Sequence, residues 1–272
     1  METLSALDRF IQLADLPDQQ IDLALGALLI AAHTEPDVDI DGQLALLDSL
    51  AAAVRDRIPL ADEPLAKINV LNDYLFDEIG FAGNVTDYYD SRNSMLHHVL
   101  RRRLGIPITL ALVYVEIGAR LGLPLVGIGM PGHFLVRHLG DRSLFIDPYN
   151  RGVMLSEAEC AERLRSISDS IRWDRSFLDP VTNREFLGRM IRNLAAIWVQ
   201  REELAQAVAA LGMLIVLQPE EPGHRRDRGM LLHRLGDSET ALIDLETYLD
   251  LHDSAPDAAY VRRTIADIRE SG

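Results

Sequence analysis

The stretch that decides the fold is LGIPITLALVYVEIGARLGLP, which runs from Leu104 to Pro124. Pro107 stands where a predicted apolar helix begins, and proline suits a first helical turn because an amide there has no partner within the helix. Glu116 and Arg120 interrupt the run, so it falls short of the roughly 18 to 20 apolar residues of a membrane span. The stretch therefore predicts a buried helix of a globular protein.

The composition is that of a globular protein with a strong acidic bias. The chain has 272 residues, 48% hydrophobic and 25% charged, with a formal net charge of −15. This length suits one large domain or two small ones. So acidic a surface repels phosphate backbones, which argues against a nucleic-acid partner. The N-terminal METLSALDRF has no signal-peptide pattern, and we predict a cytoplasmic protein with no membrane partner.

The cysteine count limits the disulfide and metal sites that the chain can form. Cys160 is the single cysteine, which excludes an internal disulfide and a zinc site built from several cysteines. The sequence shows no phosphate-binding loop, dinucleotide fingerprint or metal-ligand cluster, so we predict no cofactor and no metal.

Hydrophobic patterning around the central helix predicts an α+β fold that is mostly helical. Residues 1 to about 80 show helical periodicity. After the central helix, LPLVGIGM, HFLVRHL and SLFIDP predict two or three short antiparallel strands. Ser156 and Glu159 have the spacing of a capping box and predict the start of the next helix.

The C-terminal third carries an internal repeat with a period of 34 residues. Small and large residues recur at this spacing, since Ala195, Ala207, Leu211 and Leu214 align with Gly229, Ala241, Leu245 and Tyr248. Small residues let paired helices approach closely, and the pattern resembles tetratricopeptide repeats. We predict two domains: residues 1–180, with a helical region and the central α+β core, and residues 181–272, with the repeats.

Two residues of the predicted strands suit nucleophilic catalysis. His133 opens one strand and Asp147 closes the next. An aspartate beside a histidine fixes the imidazole tautomer and stabilises its cation. A cysteine at the start of the central helix would complete a nucleophilic site, because a helix N-terminus lowers the pKa of a thiol.

The order of these motifs resembles the transglutaminase-like core of the papain-like cysteine hydrolase superfamily. The helix matches at Ala111, Leu121-Gly122 and Pro124, and the strands match at Gly132-His133 and Asp147-Pro148. The resemblance places the nucleophile at position 107, where this chain has proline.

A longer resemblance covers the chain from about residue 35 onward. DSRNSMLHHVLRRRLGIPITL, MPGHFLVR, FIDPYNRG and EAEC, followed by repeat-like helices, are similar to the SirB1 family. Its members join a transglutaminase-like domain to tetratricopeptide repeats. The family resemblance implies that GIP is typical at this turn, and it implies no established reaction.

Several residues remain candidates for a site. Cys160 is the first candidate for a non-standard nucleophile near His133, and the hydroxyls of Ser94 and Thr109 are lesser ones. The alternatives are an ordinary half-buried, inert helix cysteine and a structural His133–Asp147 hydrogen bond.

Four further residues are candidate binding residues. They are Arg92, Asn93 and Ser94 of the segment SRNS, and Glu116. We also expect Ser94 to cap the following helix and Glu116 to pair with Arg92 or Arg120, because a buried carboxylate needs a partner.

Two functions follow. The first is a non-catalytic protein that binds a protein or peptide partner through the repeats and a degenerate cleft. The second is an amide or ester hydrolase or acyltransferase that uses His133 and Asp147 with a non-standard nucleophile. The sequence leaves the oligomeric state open.

Overall fold

The computed structural model describes residues 4–59 and 63–271, and it is mostly helical with a small antiparallel sheet, as predicted. The helices are α1 Ala6–Ala14, α2 Leu23–Thr34, α3 Ile40–Arg55, α4 Pro64–Asn72, α5 Leu96–Arg102, α6 Pro107–Arg120, α7 Glu157–Ile167, α8 Asn183–Gln200, α9 Leu204–Leu217, α10 Gly223–Arg234, α11 Ser238–Leu251 and α12 Ala258–Ser271. The strands are β1 Ala82–Gly83, β2 Leu104–Gly105, β3 Leu125–Ile128, β4 Leu135–His138, β5 Phe145–Asp147 and β6 Val153–Leu155.

The chain divides into two compact units. The core unit is Leu16–Met190. The repeat unit combines the described residues of Met1–Asp15 with those of Ile191–Gly272, and within it α1 packs against α9. The predicted domain boundary between residues 180 and 181 stays a prediction.

Helix α6 forms the centre of the core unit. Pro107 is its first residue, and the extended residue Ile106 precedes it. The Thr109 hydroxyl accepts a hydrogen bond from the Ile106 amide at 3.1 Å, which satisfies a backbone donor that the helix leaves free. The helix ends before Gly122, whose φ of +73° suits glycine. The predicted buried helix is therefore present, and Tyr114 in its middle has no exposed surface.

The main sheet of the core unit has four antiparallel strands in the order β3-β4-β5-β6. The predicted strand segments supply β3, β4 and β5, and β6 pairs with β5 through Ile146 and Met154. A separate two-stranded parallel pair joins β1 to β2, directly before α6. This pair holds the segment around Gly83 beside the start of the central helix.

Helix α7 begins as its capping box predicts, whereas the cap predicted for α5 is wrong. The Ser156 hydroxyl accepts from the Glu159 amide, and the Glu159 carboxylate accepts from the Ser156 amide. Helix α5, however, begins after Met95 without a side-chain cap. Ser94 ends a 3-10 turn, Ser91–Ser94, so it lies one residue too early to cap α5.

The repeat unit shows why small residues recur at the 34-residue spacing. Gly229 of α10 lies so close to α11 that a Cβ atom there would come within 2.8 Å of the Leu245 side chain. Ala241 is fully buried in the same layer. The small residues therefore permit the close approach of α10 and α11 that the repeat pattern predicts. Among the described residues, no helix combines the length and apolar character needed to cross a membrane.

Candidate functional site

A histidine–aspartate pair lies near the N-terminal end of α6. Asp147 is the last residue of β5, and the 3-10 turn Pro148–Asn150 that follows packs against α6 and β1. His133 follows the turn at Gly132, whose φ is +70°, and precedes β4. The strand order therefore brings the two residues together as predicted.

The His133–Asp147 contact is short and buried. His133 Nε2 lies 2.8 Å from Asp147 Oδ2, and the two side chains are 6% and 0% exposed. Burial by itself raises the pKa of Asp147, but the hydrogen bond and charge of His133, with Asn150 and Arg163, hold that pKa below its usual range. Asp147 is therefore an anion that orients the imidazole through this hydrogen bond.

Asp147 has further partners that the sequence did not reveal. The Asn150 amide group donates from Nδ2 to Asp147 Oδ2 at 2.8 Å, and the Asn150 backbone N–H donates to Oδ1 at 3.2 Å. Arg163 of α7 lies 3.5 Å away. The spacing from Asp147 to Asn150 is a turn signal that could have indicated the first contact, whereas Arg163 lies on a separate element.

One aromatic ring lies against the histidine, and a second packs against the first. The Tyr149 ring stands edge-on to His133 with centroids 6.1 Å apart, and Tyr88 meets Tyr149 at 6.3 Å. Gly83 makes room for Tyr149, because a Cβ atom there would overlap the tyrosine ring. Burial raises the pKa of both tyrosines. Tyr149 therefore forms one wall of the site.

Arg189 of α8 fixes the segment that carries His133. Its Nη2 atom donates to the carbonyl oxygens of Met130 and His133, at 2.9 and 2.8 Å. The guanidinium also lies over the Phe134 ring, 5.3 Å from the centroid. Sequence reasoning missed Arg189 because it is 56 residues from His133 along the chain.

The position that the resemblance assigns to a nucleophile is occupied by a residue that cannot attack. Pro107 is buried in the first turn of α6 and has no nucleophilic side chain. The Thr109 hydroxyl donates to the Asn93 carbonyl oxygen at 2.7 Å and is already used. Ser94 differs, because its hydroxyl is buried and has no hydrogen-bond partner in the described part of the chain.

The geometry disfavours Cys160 as a nucleophile. It is fully buried in an apolar layer with Leu135, Phe145 and Leu164, on α7 beside the sheet. Burial, followed by the charge of Asp147, raises the pKa of its thiol to about 12. In residues 4–59 and 63–271, no hydrogen bond joins Cys160 to His133. A nucleophilic role for Cys160 stays a prediction, and the burial of its thiol in the core counts against it.

The other candidate residues mainly stabilise the local structure. Arg92 pairs with Asp90, and Glu116 pairs with Arg120 at 2.5 Å. Of the two partners predicted for Glu116, Arg120 is therefore confirmed and Arg92 is wrong. Asn93 is buried, and its Nδ2 donates to the Asp87 carbonyl oxygen at 2.7 Å. A ligand-binding role for these residues stays a prediction.

One cluster has the residue types of a metal site. The Nε2 atoms of His97 and His98 lie 3.0 and 3.1 Å from Glu35 Oε2. Arg101 donates to Nδ1 of His98, which leaves the proton of a neutral His98 on Nε2, where a metal would bind. As arranged, the cluster is therefore a hydrogen-bonded network. Sequence reasoning missed it because Glu35 lies 62 residues before His97.

Comparisons with known proteins agree with this architecture. A family model described as "Transglutaminase-like superfamily" matches residues 43–192, and a tetratricopeptide repeat model matches residues 194–266. A UPF0162 protein of Xylella fastidiosa is 36% identical over 261 residues, which cover 94% of this chain and 93% of the relative. A UPF0162 protein of Vibrio cholerae is 25% identical over 94% of this chain and 95% of its own length.

A eukaryotic protein also matches part of the chain. The human protein named F-box only protein 21 is 29% identical over 167 residues, which cover 57% of this chain but 26% of that protein. No solved structure matches.

Proposed function

The chain belongs to the transglutaminase-like superfamily and, within it, to the UPF0162 family, and on that premise we propose that it is a non-catalytic protein that binds a protein or peptide partner. The observation that carries the proposal is Pro107 at the first position of α6. A general base accelerates acyl transfer only when it can activate a nucleophile. The His133–Asp147 pair has no such group at the position that the family's architecture assigns to it.

The single cysteine, Cys160, also supports a non-catalytic role. The thiolate is the reactive form of cysteine, and a pKa of about 12 leaves a negligible fraction of thiolate at neutral pH. Asp147 contributes to this shift by repelling a second negative charge. The aspartate that would assist a histidine therefore disfavours ionisation of Cys160.

The repeat unit offers a surface for a partner. A groove of about 610 Å³ runs between α8, α9 and α10, and its lining is mainly apolar. The apolar residues include Ala195, Val199, Leu211, Leu214, Met230 and Leu231. Arg192, His224 and Asp227 add polar groups that can orient a ligand. Stacked helical repeats use such surfaces to bind apolar side chains of a peptide or helix.

A matched pair of substitutions tests partner binding. Ala196 is an exposed residue of α8 that lines the groove, whereas Ala205 is an exposed residue of α9 outside it. Partners are first captured with the full chain from a bacterial lysate, and binding is then measured with purified components. We expect Ala196→Arg to abolish binding by filling the groove with a charge, while Ala205→Arg binds as the wild type does. Equal binding by both variants would contradict the proposal.

A second function has a specific observation in its favour. The His133–Asp147 pair is intact, and Ser94 presents a buried hydroxyl that has no hydrogen-bond partner among the described residues. An amide or ester hydrolase or acyltransferase would use that hydroxyl as nucleophile and His133 as base. Cys160 is the weaker candidate because its thiol is un-ionised and buried.

Active-site labelling separates the two functions. The folded protein is treated with a fluorophosphonate and, separately, with iodoacetamide, and modified residues are identified by mass spectrometry. A non-catalytic protein gives no labelling at Ser94 or Cys160 that depends on His133. Rapid labelling that disappears in His133→Ala, with the fold intact by circular dichroism, would establish the enzyme instead.

A further inference from the structure

A second pocket of the core unit gathers arginine side chains away from the His133 site. It has a volume of about 340 Å³, and Arg137, Arg142 and Arg175 line it together with Phe145 and Leu178. The residues come from β4, the turn after it, β5 and the 3-10 turn Arg175–Leu178. Three elements thus direct guanidinium groups to one pocket, in a protein whose net charge is −15.

Arg137 is the residue that makes this pocket unusual. It is 8% exposed, and its Nε atom is buried without a hydrogen-bond partner. In residues 4–59 and 63–271, no carboxylate lies within ion-pair distance of Arg137. A buried charge without a partner is costly, so folded proteins normally pair such a group or bind an ion to it.

The strand geometry explains why Arg137 cannot turn away. It lies within β4, with Leu135 two residues before it on the same face of the sheet. That face packs in the apolar layer that contains Phe145 and Leu178. The guanidinium lies 6.0 Å from the Phe145 centroid, a favourable contact that still leaves the buried Nε donor unused.

The neighbouring charges do not neutralise Arg137. Asp179 and Asp141 attract it from a distance, but burial and the repulsion of Arg142 outweigh them and lower the pKa of Arg137. Two carboxylates line the pocket beside the three arginines: Asp179, and Glu157, which lies 3.3 Å from Arg175. The pocket therefore keeps a positive charge that these side chains leave available.

We propose that this pocket binds a small anion through a carboxylate or phosphate group, with Arg137 and Arg142 as its principal ligands. Guanidinium groups present paired N–H donors that match the oxygens of both anions. The volume is in the range of small-molecule sites, and Phe145 with Leu178 gives one apolar wall for the rest of the ligand. The site is independent of the repeat groove and of the proposed partner.

Calorimetric titration of the full chain tests the proposal. The probes are inorganic phosphate, succinate and phenyl phosphate, each at an ionic strength matched with sodium chloride. Saturable binding of phosphate or of succinate identifies the anion class, and tighter binding of phenyl phosphate than of phosphate indicates that the apolar wall is used. We expect at least one of these probes to bind.

Substitutions then locate the binding site. Arg142 is exposed, so Arg142→Ala leaves the core unchanged and is expected to weaken binding about tenfold, as the loss of a charged hydrogen bond does. Arg137→Gln is expected to abolish binding. Arg172, an exposed arginine outside the pocket, supplies the matched control Arg172→Ala, which should bind as the wild type does. No saturable binding by any probe, or equal affinity in wild type and Arg142→Ala, would overturn the proposal.

Discussion

Asp147 and Arg137 lie on neighbouring strands of one sheet, yet their surroundings differ. Asp147 is 0% exposed and contacts His133, Asn150 and Arg163. Arg137 is 8% exposed, and its buried Nε donor has no hydrogen-bond partner within residues 4–59 and 63–271. A buried charge surrounded by partners is part of the fold, whereas a buried charge without partners indicates a ligand that completes it. This difference separates the His133–Asp147 site, whose nucleophile position holds proline, from the arginine pocket.

The largest expected effect comes from removing the partnered charge. Asp147→Ala leaves His133, Asn150 and Arg163 without their common acceptor, so we expect the free energy of unfolding to fall by about 3 to 5 kcal/mol. Urea denaturation followed by circular dichroism measures it. Asp169→Asn changes an exposed aspartate and is the control. A loss below about 1 kcal/mol for Asp147→Ala would show that the network contributes little.

Protonation of Asp147 in acid should remove part of the stability that its carboxylate contributes. The folded-state pKa of Asp147 is lowered, so its stabilising effect is complete above the ordinary aspartate pKa of about 3.9 and is lost as the pH falls below it. Urea denaturation of wild type and Asp147→Asn between pH 6 and pH 2.5 tests this. The difference in unfolding free energy should be constant down to about pH 5 and then shrink. A difference that grows on acidification would contradict the lowered pKa.

Removing the charge of Arg137 should not destabilise the protein as removing that of Asp147 does. Arg137→Met keeps most of the apolar stem and removes the buried guanidinium, so we expect unfolding free energy without ligand to stay the same or rise by about 1 to 2 kcal/mol. Thermal and urea denaturation in chloride buffer measure it. A loss as large as that of Asp147→Ala would mean that Arg137 already has its partner within the chain.

The hydroxyls of Thr109 and Ser94 allow the same comparison between a hydrogen-bonded group and one without a partner among the described residues, with smaller expected changes in stability. Thr109 hydrogen-bonds to Asn93 and Ile106, whereas the Ser94 hydroxyl bonds to no group in the part of the chain that the structure describes. We expect Thr109→Val to lower the free energy of unfolding by about 1 to 2 kcal/mol. We expect Ser94→Ala to change it by less than about 0.5 kcal/mol. Urea denaturation of the two variants provides the measurement. An equal loss of unfolding free energy in both variants would show that the hydrogen bonds of Thr109 do not explain its contribution to stability.

Local patterns predicted local structure well. Pro107 marked the start of α6, and Ser156 with Glu159 marked the start of α7, because each signal acts within one helical turn. The cap predicted at Ser94 failed because Asp90 caps a 3-10 turn there first. The strand motifs brought His133 and Asp147 together because β4 pairs antiparallel with β5, which places the residues just before β4 beside the end of β5.

Contacts between distant segments were not predictable in this way. Arg163 and Arg189 reach the His133 site from α7 and α8, and nothing within one turn of either residue indicates its partner. The same holds for Glu35, which meets His97 and His98 from the end of α2. A charge pattern records which side chains are available, but only the packing of helices on the sheet selects the pairs.

The sequence by itself determined the architecture, because 3.6-residue and 34-residue periodicities and the strand motifs are properties of the chain. It also determined that proline stands at position 107, which removes the expected nucleophile. The tertiary structure decided which buried groups are satisfied. It placed Cys160 in an apolar layer and gave Asp147 three partners, but in the described part of the chain it left the buried Nε atom of Arg137 without a hydrogen-bond partner. Burial and hydrogen bonding depend on every element that packs around a side chain.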